Sequence, residues 1–448
     1  MSVIQLIQRS YKAIISPPNR EIESNAVRFG LLGASTIAPL SLIGPAKSHP
    51  EAIVAAVAAR DRGRASAYAK KHGIPIVHGS YEDLLADPSI DAVYIALPNG
   101  LHYEWALRSL QAGKHVLLEK PATSNAADAQ KLFKHTLATA SNAPVLLEAF
   151  HYQFHPAWQA FLGEVRRAGV VVSAHSRQTI PRGALASDDI RFDFALGGGC
   201  LMDVGTYAVS AVRQVLGREA VDVVDAEYQS MWSGIPDGEG ASKAVGQSQS
   251  QVDKFIAATL RTPTGKTATF TADIASSFGW PPFLPEGWGF NVPRMTTPMC
   301  QAVLEEIVLD PLPEFVDAEH RMQKTVTMWN YLLPTVWHRI DVVEEHRVVE
   351  NGSNIKTWSE TRFIKGYDWR GDQENDESTE AYEEWWTTWR CQLEEFIHRI
   401  KGRKGSGVWV GPEESIAQME AIDDIYRKAG LEVRPSSSFR LENTQMRR

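Results

Sequence analysis

Val27-Arg28-Phe29-Gly30-Leu31-Leu32-Gly33-Ala34-Ser35-Thr36-Ile37-Ala38 is an apolar, β-prone run that breaks at a glycine into a tight turn and then a helix. Small residues in such a turn let the backbone approach a pyrophosphate. The first N–H groups of the helix, unpaired and at the positive end of its dipole, favour the anion. Gly33, Ala34, Ser35, Thr36 and Ile37 are therefore candidate cofactor-binding residues. The usual G-x-G-x-x-G spacing survives only as Gly33-x-Ser35-x-x-Ala38, a weak signal by itself.

The pattern repeats outward from this turn. Ala52 to Ala59 is a second buried strand, and Arg60-Asp61-Arg62 stands at its end, where the adenosine ribose lies in dinucleotide folds. An acid there accepts from a free 2′-hydroxyl, whereas a guanidinium pairs with a 2′-phosphate, so Arg60 favours NADP over NAD. The other reading is a set of charges on an exposed loop before the helix Ala65 to His72. A third strand, Ala92 to Leu97, ends in Pro98-Asn99-Gly100-Leu101-His102. A helix then leads to Gly113-Lys114-His115-Val116-Leu117-Leu118-Glu119-Lys120-Pro121, and Val145 to Phe150 closes the series. Strands alternating with helices imply right-handed crossovers and a doubly wound parallel sheet, with ligands outside the carboxyl ends of its strands. That rule places Leu97, Pro98, Asn99, His102, Glu119 and Lys120 on the same edge as Gly33. Lys120 there is able to polarise a hydroxyl; Glu119 and Lys120 read equally as solvated charges after a buried strand.

After residue 150 the rhythm changes. Arg191-Phe192-Asp193 precedes three glycines, and Leu201 to Leu216 follows at helical period, with Asp203 and Tyr207 four apart on one face. Turned to the crevice, they add an acid and a phenol to Lys120; otherwise Asp203 caps the helix and Tyr207 packs. Asp222 to Gln229, a hairpin of Val252 to Arg261 and Thr267 to Ser276 across Pro263-Thr264-Gly265-Lys266, and runs at 302–309, 336–343 and 355–363 predict a mostly antiparallel sheet. Trp280 to Pro298 and Tyr367 to Ser378 read as loops. Two helices follow, Ala381 to Ile400 and one from Pro412 to before Gly430. The stripe Trp386, Trp389, Leu393, Phe396, Ile400 reads as core-facing scaffold. The expected division is an amphipathic arm at 1–26, ended by Pro17-Pro18, an α/β Rossmann domain at 27–150, an α+β domain at 151–434 with an open antiparallel sheet, and a loose basic tail at 435–448.

Composition limits the partners. Of 448 residues, 44% are hydrophobic and 22% charged, so two sizeable cores can form. Forty-six Lys and Arg against 54 Asp and Glu give −8, without the basic field a nucleic acid requires. Three scattered cysteines argue against a disulfide framework and a zinc cluster, and for a reducing compartment. No apolar run reaches the ~18 residues of a membrane helix and no cleavable leader opens the chain, so the location expected is cytoplasmic. Arg9 and Lys12 leave an organelle-targeting reading beside that of a docked arm.

Together the Gly33 turn, Leu97-Pro98-Asn99-x-x-His102, Glu119-Lys120-Pro121 and Gly198-Gly199-x-Leu201-x-Asp203-x-Gly205-x-Tyr207 resemble the Gfo/Idh/MocA oxidoreductase family. The resemblance extends from about Val27 to Arg434. With Glu148-Ala149-Phe150 and Arg191-Phe192-Asp193, Tyr207 is similar to the branch of dimeric dihydrodiol dehydrogenases and NADP-dependent D-xylose dehydrogenases. It implies Lys120 and Tyr207 as a catalytic pair oriented by Asp203, Phe150 and Arg191 near the substrate, no metal, and face-to-face homodimers acting on sugars, polyols or cyclic diols. Two features depart from the branch: Gln153 stands where arginine is usual, and the stretch 280–378 is longer. A tailoring oxidoreductase for a larger alcohol, and a non-catalytic NADP-binding regulator, are the alternatives. Two further expectations follow from the residues. A nearby Lys120 ammonium favours the Tyr207 phenolate, and apolar side chains on both faces of the 252–276 hairpin call for a second subunit as cover.

Overall fold

The strand Val27–Leu32 (β1) lies inside a six-stranded sheet with Ala52–Ala58 (β2), Ile76–Val77 (β3), Ala92–Ile95 (β4), His115–Leu118 (β5) and Leu146–Glu148 (β6). In this computed structural model, which describes residues 3–186, 189–231, 251–276, 297–367 and 382–441, every pairing in that sheet is parallel. Helices on both faces explain the unbroken apolar runs: Phe29, Leu31 and Leu32, all of β4, and Val116 to Leu118 are buried. The spatial order β3-β2-β1-β4-β5-β6 reverses between β1 and β4. Side chains leaving the carboxyl ends of those two strands border a crevice, the switch point at which such folds bind ligands.

The second sheet runs in the order β15-β14-β13-β11-β7-β10-β9-β8, with β12 paired to β13. Its strands are Val171–Pro181 (β7), Asp222–Ser230 (β8), Asp253–Arg261 (β9), Thr267–Ser276 (β10), Met299–Leu304 (β11), Ile307–Leu309 (β12), Glu319–Trp329 (β13), Arg339–Glu350 (β14) and Ser353–Ile364 (β15). Among the described residues only β7 and β10 pair in parallel. The Rossmann-like sheet and the mostly antiparallel second sheet are those the sequence predicts.

The hairpin is less symmetric than its composition suggests. Ile256, Ala258, Leu260, Ala268, Phe270, Ala272 and Ile274 are buried beneath helices, while Phe255 and Ala257 share the other face with Thr259, Thr269, Thr271 and Asp273. The expectation of apolar side chains on both faces is therefore corrected: strict alternation gathers nearly all of them on one side.

Element boundaries also shift. The strand read at 336–343 begins at Arg339, because the chain turns first, with Val336 N–H bonded to Leu333 O. The helix read from Ala381 begins at Thr388, since the Thr387 hydroxyl caps it by accepting from Arg390 N–H at 3.1 Å. The helices Thr388–Ile400 and Pro412–Lys428 pack against the first sheet's elements as well as the second's. Residues 435–441 are docked rather than loose: Ser437 N–H bonds Asp128 Oδ2 at 2.7 Å, and Arg108 lies over the Phe439 ring at 4.6 Å. The loops read at Trp280 to Pro298 and Tyr367 to Ser378 lie outside the described residues, apart from 297, 298 and 367. At the other end, buried Arg9 donates to Thr335 O at 2.6 Å and Val336 O at 3.3 Å, and lies over the Tyr367 ring at 4.1 Å. The arm is thus fastened to the second sheet's end. No helix among the described residues is long and apolar enough to cross a membrane.

Candidate active site

Gly33 ends β1 with φ +103°, a conformation that disfavours any side chain, and a Cβ there would meet Leu97 Cδ2 at 3.0 Å and Ala96 O at 3.1 Å. Glycine therefore lets the turn close against the end of β4. Ser35 Oγ accepts from Ala38 N–H at 3.3 Å, while Arg64 and Tyr68 donate to the carbonyls of Ala34 and Ser35 at 3.1 and 2.9 Å. At the end of β2, Arg60 is exposed. Asp61 is occupied in capping the helix Arg62–His72, accepting from Arg64 N–H at 2.6 Å. Asp61 caps through Oδ1, and Arg64 is the arginine that reaches the turn, at Ala34 O.

A cleft of about 290 Å³ opens between the two sheets' edges. Ser35, Thr36, Ile37, Leu97, Asn99, His102, Glu119, Lys120, Arg191, Asp203 and Tyr207 all border it; Gly33, Ala34, Arg60, Pro98 and Phe150 do not. Asn99 donates to Gly197 O at 3.0 Å and so ties β4's end to the glycine loop of the second domain. His102 is fully buried, with one ring nitrogen 2.9 Å from Pro121 O and the other 2.8 Å from Leu97 O. Burial pushes its pKa down to about 4, against those two carbonyls. Both its polar atoms are thus engaged in clamping the ends of β4 and β5 together, while its ring borders the cleft.

The centre of the cleft is an ion-pair network. Lys120 Nζ donates to Asp203 Oδ1 at 2.9 Å and to Asp203 O at 3.0 Å. Arg191 Nε donates to Asp203 Oδ2 at 2.5 Å, and its NH1 pairs with Asp189 at 3.0 and 3.1 Å. Burial alone would raise the Asp203 carboxyl, but Lys120 and Arg191 outweigh it and hold the group at about 2. Asp203 reaches Lys120 because Leu201–Gly205 forms a π-helical turn before the regular helix Thr206–Val215. It is not the helix cap. Glu119, buried beside Lys120, is pushed up by burial and accepts from Tyr94 Oη at 2.5 Å.

Lys120 Nζ lies 4.7 Å from the centre of the Tyr207 ring, over its face rather than at its hydroxyl. Burial first, then the carboxylates of Glu119 and Asp203, push the Tyr207 phenol well above 10. Stabilisation of the phenolate by Lys120 is therefore not what this geometry provides. The hydroxyl meets His151 Nε2 at 3.0 Å instead; His151 Nδ1 meets Thr388 Oγ1 at 2.7 Å, and the imidazole stacks on Trp389 at 4.3 Å. Phe150, expected beside the substrate, stands edge-on to Tyr207 at 6.0 Å and does not border the cleft. Gln153 is likewise buried behind the site, donating to Ser210 Oγ at 3.3 Å.

The sequence reading missed His151, Thr388 and the cleft-lining role of Trp389. His151 was visible in Phe150-His151-Tyr152-Gln153, but its partner stands 237 residues away. Trp389 belongs to the stripe read as scaffold. The three cysteines are buried and unpaired, and no group of three metal-ligating side chains occurs among the described residues.

Comparison with known proteins gives this arrangement its context. A model of the oxidoreductase family with an NAD-binding Rossmann fold matches residues 27–145, and one of the GFO/IDH/MocA C-terminal domain matches residues 161–286. The D-xylose 1-dehydrogenase (NADP(+)) 2 of Haloferax volcanii is 43% identical over 226 residues, 48% of this chain and 67% of that one. The trans-1,2-dihydrobenzene-1,2-diol dehydrogenase of Xenopus tropicalis is 31% identical over 294 residues, 61% of this chain and 84% of that one. Matches to dTDP-3,4-didehydro-2,6-dideoxy-alpha-D-glucose 3-reductases, such as that of Actinomadura kijaniata, span 58% or less of three of those enzymes. In fold, the chain is similar to a 3-ketoreductase from Actinomadura kijaniata solved with NADP and TDP-benzene, with a TM-score of 0.62 at 22% identity over 90% of this chain and 98% of that one.

Proposed function

The chain belongs to the GFO/IDH/MocA family of NAD(P)-dependent oxidoreductases, and from that premise we propose that it binds NADP and oxidises a carbinol of a sugar or cyclic diol, with D-xylose the leading substrate. The observation that carries the reading is Lys120, fixed by Asp203 and seated over the Tyr207 ring, facing a cleft that begins at the Gly33 turn.

The residues fit the cofactor. A Cβ at position 33 would fill the space between the turn and β4, and Ser35, Thr36 and Ile37 border the cleft just where a pyrophosphate would meet the helix start. Arg60 and Arg64 supply the positive charge for a 2′-phosphate. When bound, NADP supplies the ring that takes the hydride. The chain's own part is to hold the carbinol oxygen against Lys120, whose charge stabilises the alkoxide as it develops, and to accept the hydroxyl proton at Tyr207 Oη. Tyr207 would first release its own proton to solvent, so that its phenolate takes the carbinol O–H proton while the C–H pair would leave as hydride and the carbinol carbon become a carbonyl.

The names of the relatives support D-xylose first and a trans-dihydrodiol second; Trp389 beside the cleft favours a ring-shaped substrate in either case. Reduction of NADP, followed at 340 nm over aldoses, polyols and trans-dihydrodiols, tests the proposal. Binding without turnover across that panel would favour the regulator reading, which the intact Lys120–Asp203 pair argues against. Arg60→Ala is expected to weaken NADP about tenfold while leaving NAD nearly unchanged; equal loss for both would remove Arg60 from the 2′-phosphate.

We further infer a face-to-face homodimer and a reducing, cytoplasmic setting. The resemblance to the branch of dimeric dihydrodiol dehydrogenases supports the first, and three unpaired cysteines the second. Light scattering at micromolar concentration should give about twice the 49.7 kDa chain mass; a monomer mass would refute the dimer.

A further inference from the structure

The geometry points to His151 as the positioning residue for Tyr207: its Nε2–H donates to the tyrosine oxygen, aims the tyrosine's own proton into the cleft and stabilises the phenolate. This inference rests on Tyr207 being the proton acceptor proposed above. It starts from a gap in that proposal. A phenol that takes part in proton transfer needs help at its oxygen, and none of the charged neighbours gives it. Lys120, at the end of β5, faces the ring. Glu119 beside it and Asp203 on Tyr207's own helical segment are carboxylates, which oppose a phenolate. Tyr152 and Tyr331, packed behind, add no positive charge. Among the described residues only His151 meets the oxygen, at 3.0 Å.

The imidazole carries one N–H. Complete burial, with Lys120 nearby, pushes its pKa down to about 3, so it remains neutral at any working pH. A neutral imidazole donates through one nitrogen and accepts through the other. With the proton on Nδ1, Nε2 would consume the Tyr207 O–H, leaving the tyrosine no proton to exchange with a substrate. With the proton on Nε2, the tyrosine oxygen accepts from His151 and its own O–H is free, while Nδ1 accepts from the Thr388 hydroxyl at 2.7 Å. The Thr388 hydroxyl, able to donate to a bare Nδ1, accommodates that tautomer. Trp389, stacked on the imidazole at 4.3 Å, fixes the ring plane and also borders the cleft, so the segment that fastens the histidine is itself a wall of the site.

The test compares His151→Leu, His151→Gln and Thr388→Val with the unaltered enzyme, in NADP and D-xylose or whichever compound of the panel turns over. His151→Leu removes the donor. The pH profile of kcat for oxidation should move up by about one unit, with turnover at pH 7 about tenfold lower and the KM for NADP unchanged. His151→Gln, whose amide can donate, should restore most of both, and Thr388→Val should fall between. Histidine ¹⁵N NMR, with the His151 signal identified by its loss in His151→Gln, should show a protonated Nε2 and a bare Nδ1. An unmoved profile in His151→Leu, a glutamine no better than leucine, or a protonated Nδ1 would each overturn the inference. If Tyr207→Phe is inactive while the His151→Leu profile stays put, only this inference falls. A Tyr207→Phe enzyme with full turnover takes down the proton acceptor and this inference together.

Discussion

Tyr207→Phe lowers turnover by a factor of about 10²–10⁴, the range expected for removing a general acid–base group, and leaves NADP affinity close to that of the unaltered chain. The asymmetry follows from where each part of the tyrosine is used. The ring makes the packing contacts: Phe150 and Tyr152 stand edge-on to it at 6.0 Å each, and Lys120 lies 4.7 Å from its centre. A phenylalanine keeps all three, so neither the helix Thr206–Val215 nor the Lys120–Asp203 pair has reason to move. Among the described residues the hydroxyl makes one hydrogen bond, to His151, and in the proposed reaction takes the substrate's proton. Cofactor affinity depends on the Gly33 turn and the arginines beyond it, which the hydroxyl does not touch. Turnover is read from NADP reduction, and binding from quenching of tryptophan fluorescence by NADPH, with Trp389 at the cleft as reporter. Turnover within threefold of the unaltered enzyme would exclude Tyr207 as the proton acceptor.

The first sheet was legible because its signals are local. Four strands, β1, β2, β4 and β5, are largely buried apolar runs that stop at a glycine, proline or charged group at the same edge, whereas the two-residue, half-buried β3 carried no such signal and was not read. Strand order then follows from chain order and the handedness of the crossovers. The rule that ligands lie outside the carboxyl ends of the strands put Asn99 and Lys120 at one edge with the Gly33 turn, and both border the cleft. The second sheet was legible as a class but not in detail. Its order interleaves strands far apart in sequence, with β7 between β10 and β11, and nothing in a strand's own pattern says which neighbour it takes.

Within the site, charge types were legible and their partners were not. Lys120 and Asp203 were found because each sits in a short motif, and their pairing at 2.9 Å joins two such motifs. What the motifs do not encode is direction. The π-helical turn Leu201–Gly205 alters the face that Asp203 presents, and Lys120 consequently lies over the tyrosine's ring, not at its oxygen. The donor to that oxygen comes from His151, which sits just after β6 and is held by a threonine at the start of a helix near the far end of the chain. Periodicity over a window of a dozen residues cannot register such a contact. His102 shows the converse: it lies in a recognisable motif, yet the motif does not say that its nitrogens meet the main-chain carbonyls of Leu97 and Pro121.

The second large effect is structural and lies outside every motif the sequence offered. Asp253→Ala is expected to destabilise the chain by about 3–5 kcal/mol, the cost of leaving a buried charge without its partner. Asp253 and Arg434 are both fully buried and joined at 2.7 Å. The remaining capacity of each is used. Asp253 accepts from Leu201 N–H at 2.7 Å and Tyr426 Oη at 3.1 Å, while Arg434 donates to Gly198 O at 2.6 Å and lies over the Tyr426 ring at 3.9 Å. The pair adds to the need for glycine at position 199, where φ is +132° and a Cβ would come within 2.3 Å of Asp253 Oδ1. It also couples stability to the site: Leu201 opens the π-helical turn that carries Asp203, so losing Asp253 loosens the residue that fixes Lys120. Activity should fall together with the thermal midpoint measured by circular dichroism. Asp253→Asn, which keeps the shape and an acceptor oxygen but not the charge, should recover part of both. The contrast is Asp424→Ala, which breaks a pair with Arg427 in which both side chains are more than half exposed, and is expected to cost no more than about 1 kcal/mol. If Asp253→Ala melts no lower than Asp424→Ala, the buried pair is not what fastens the carboxyl-terminal segment to the catalytic turn.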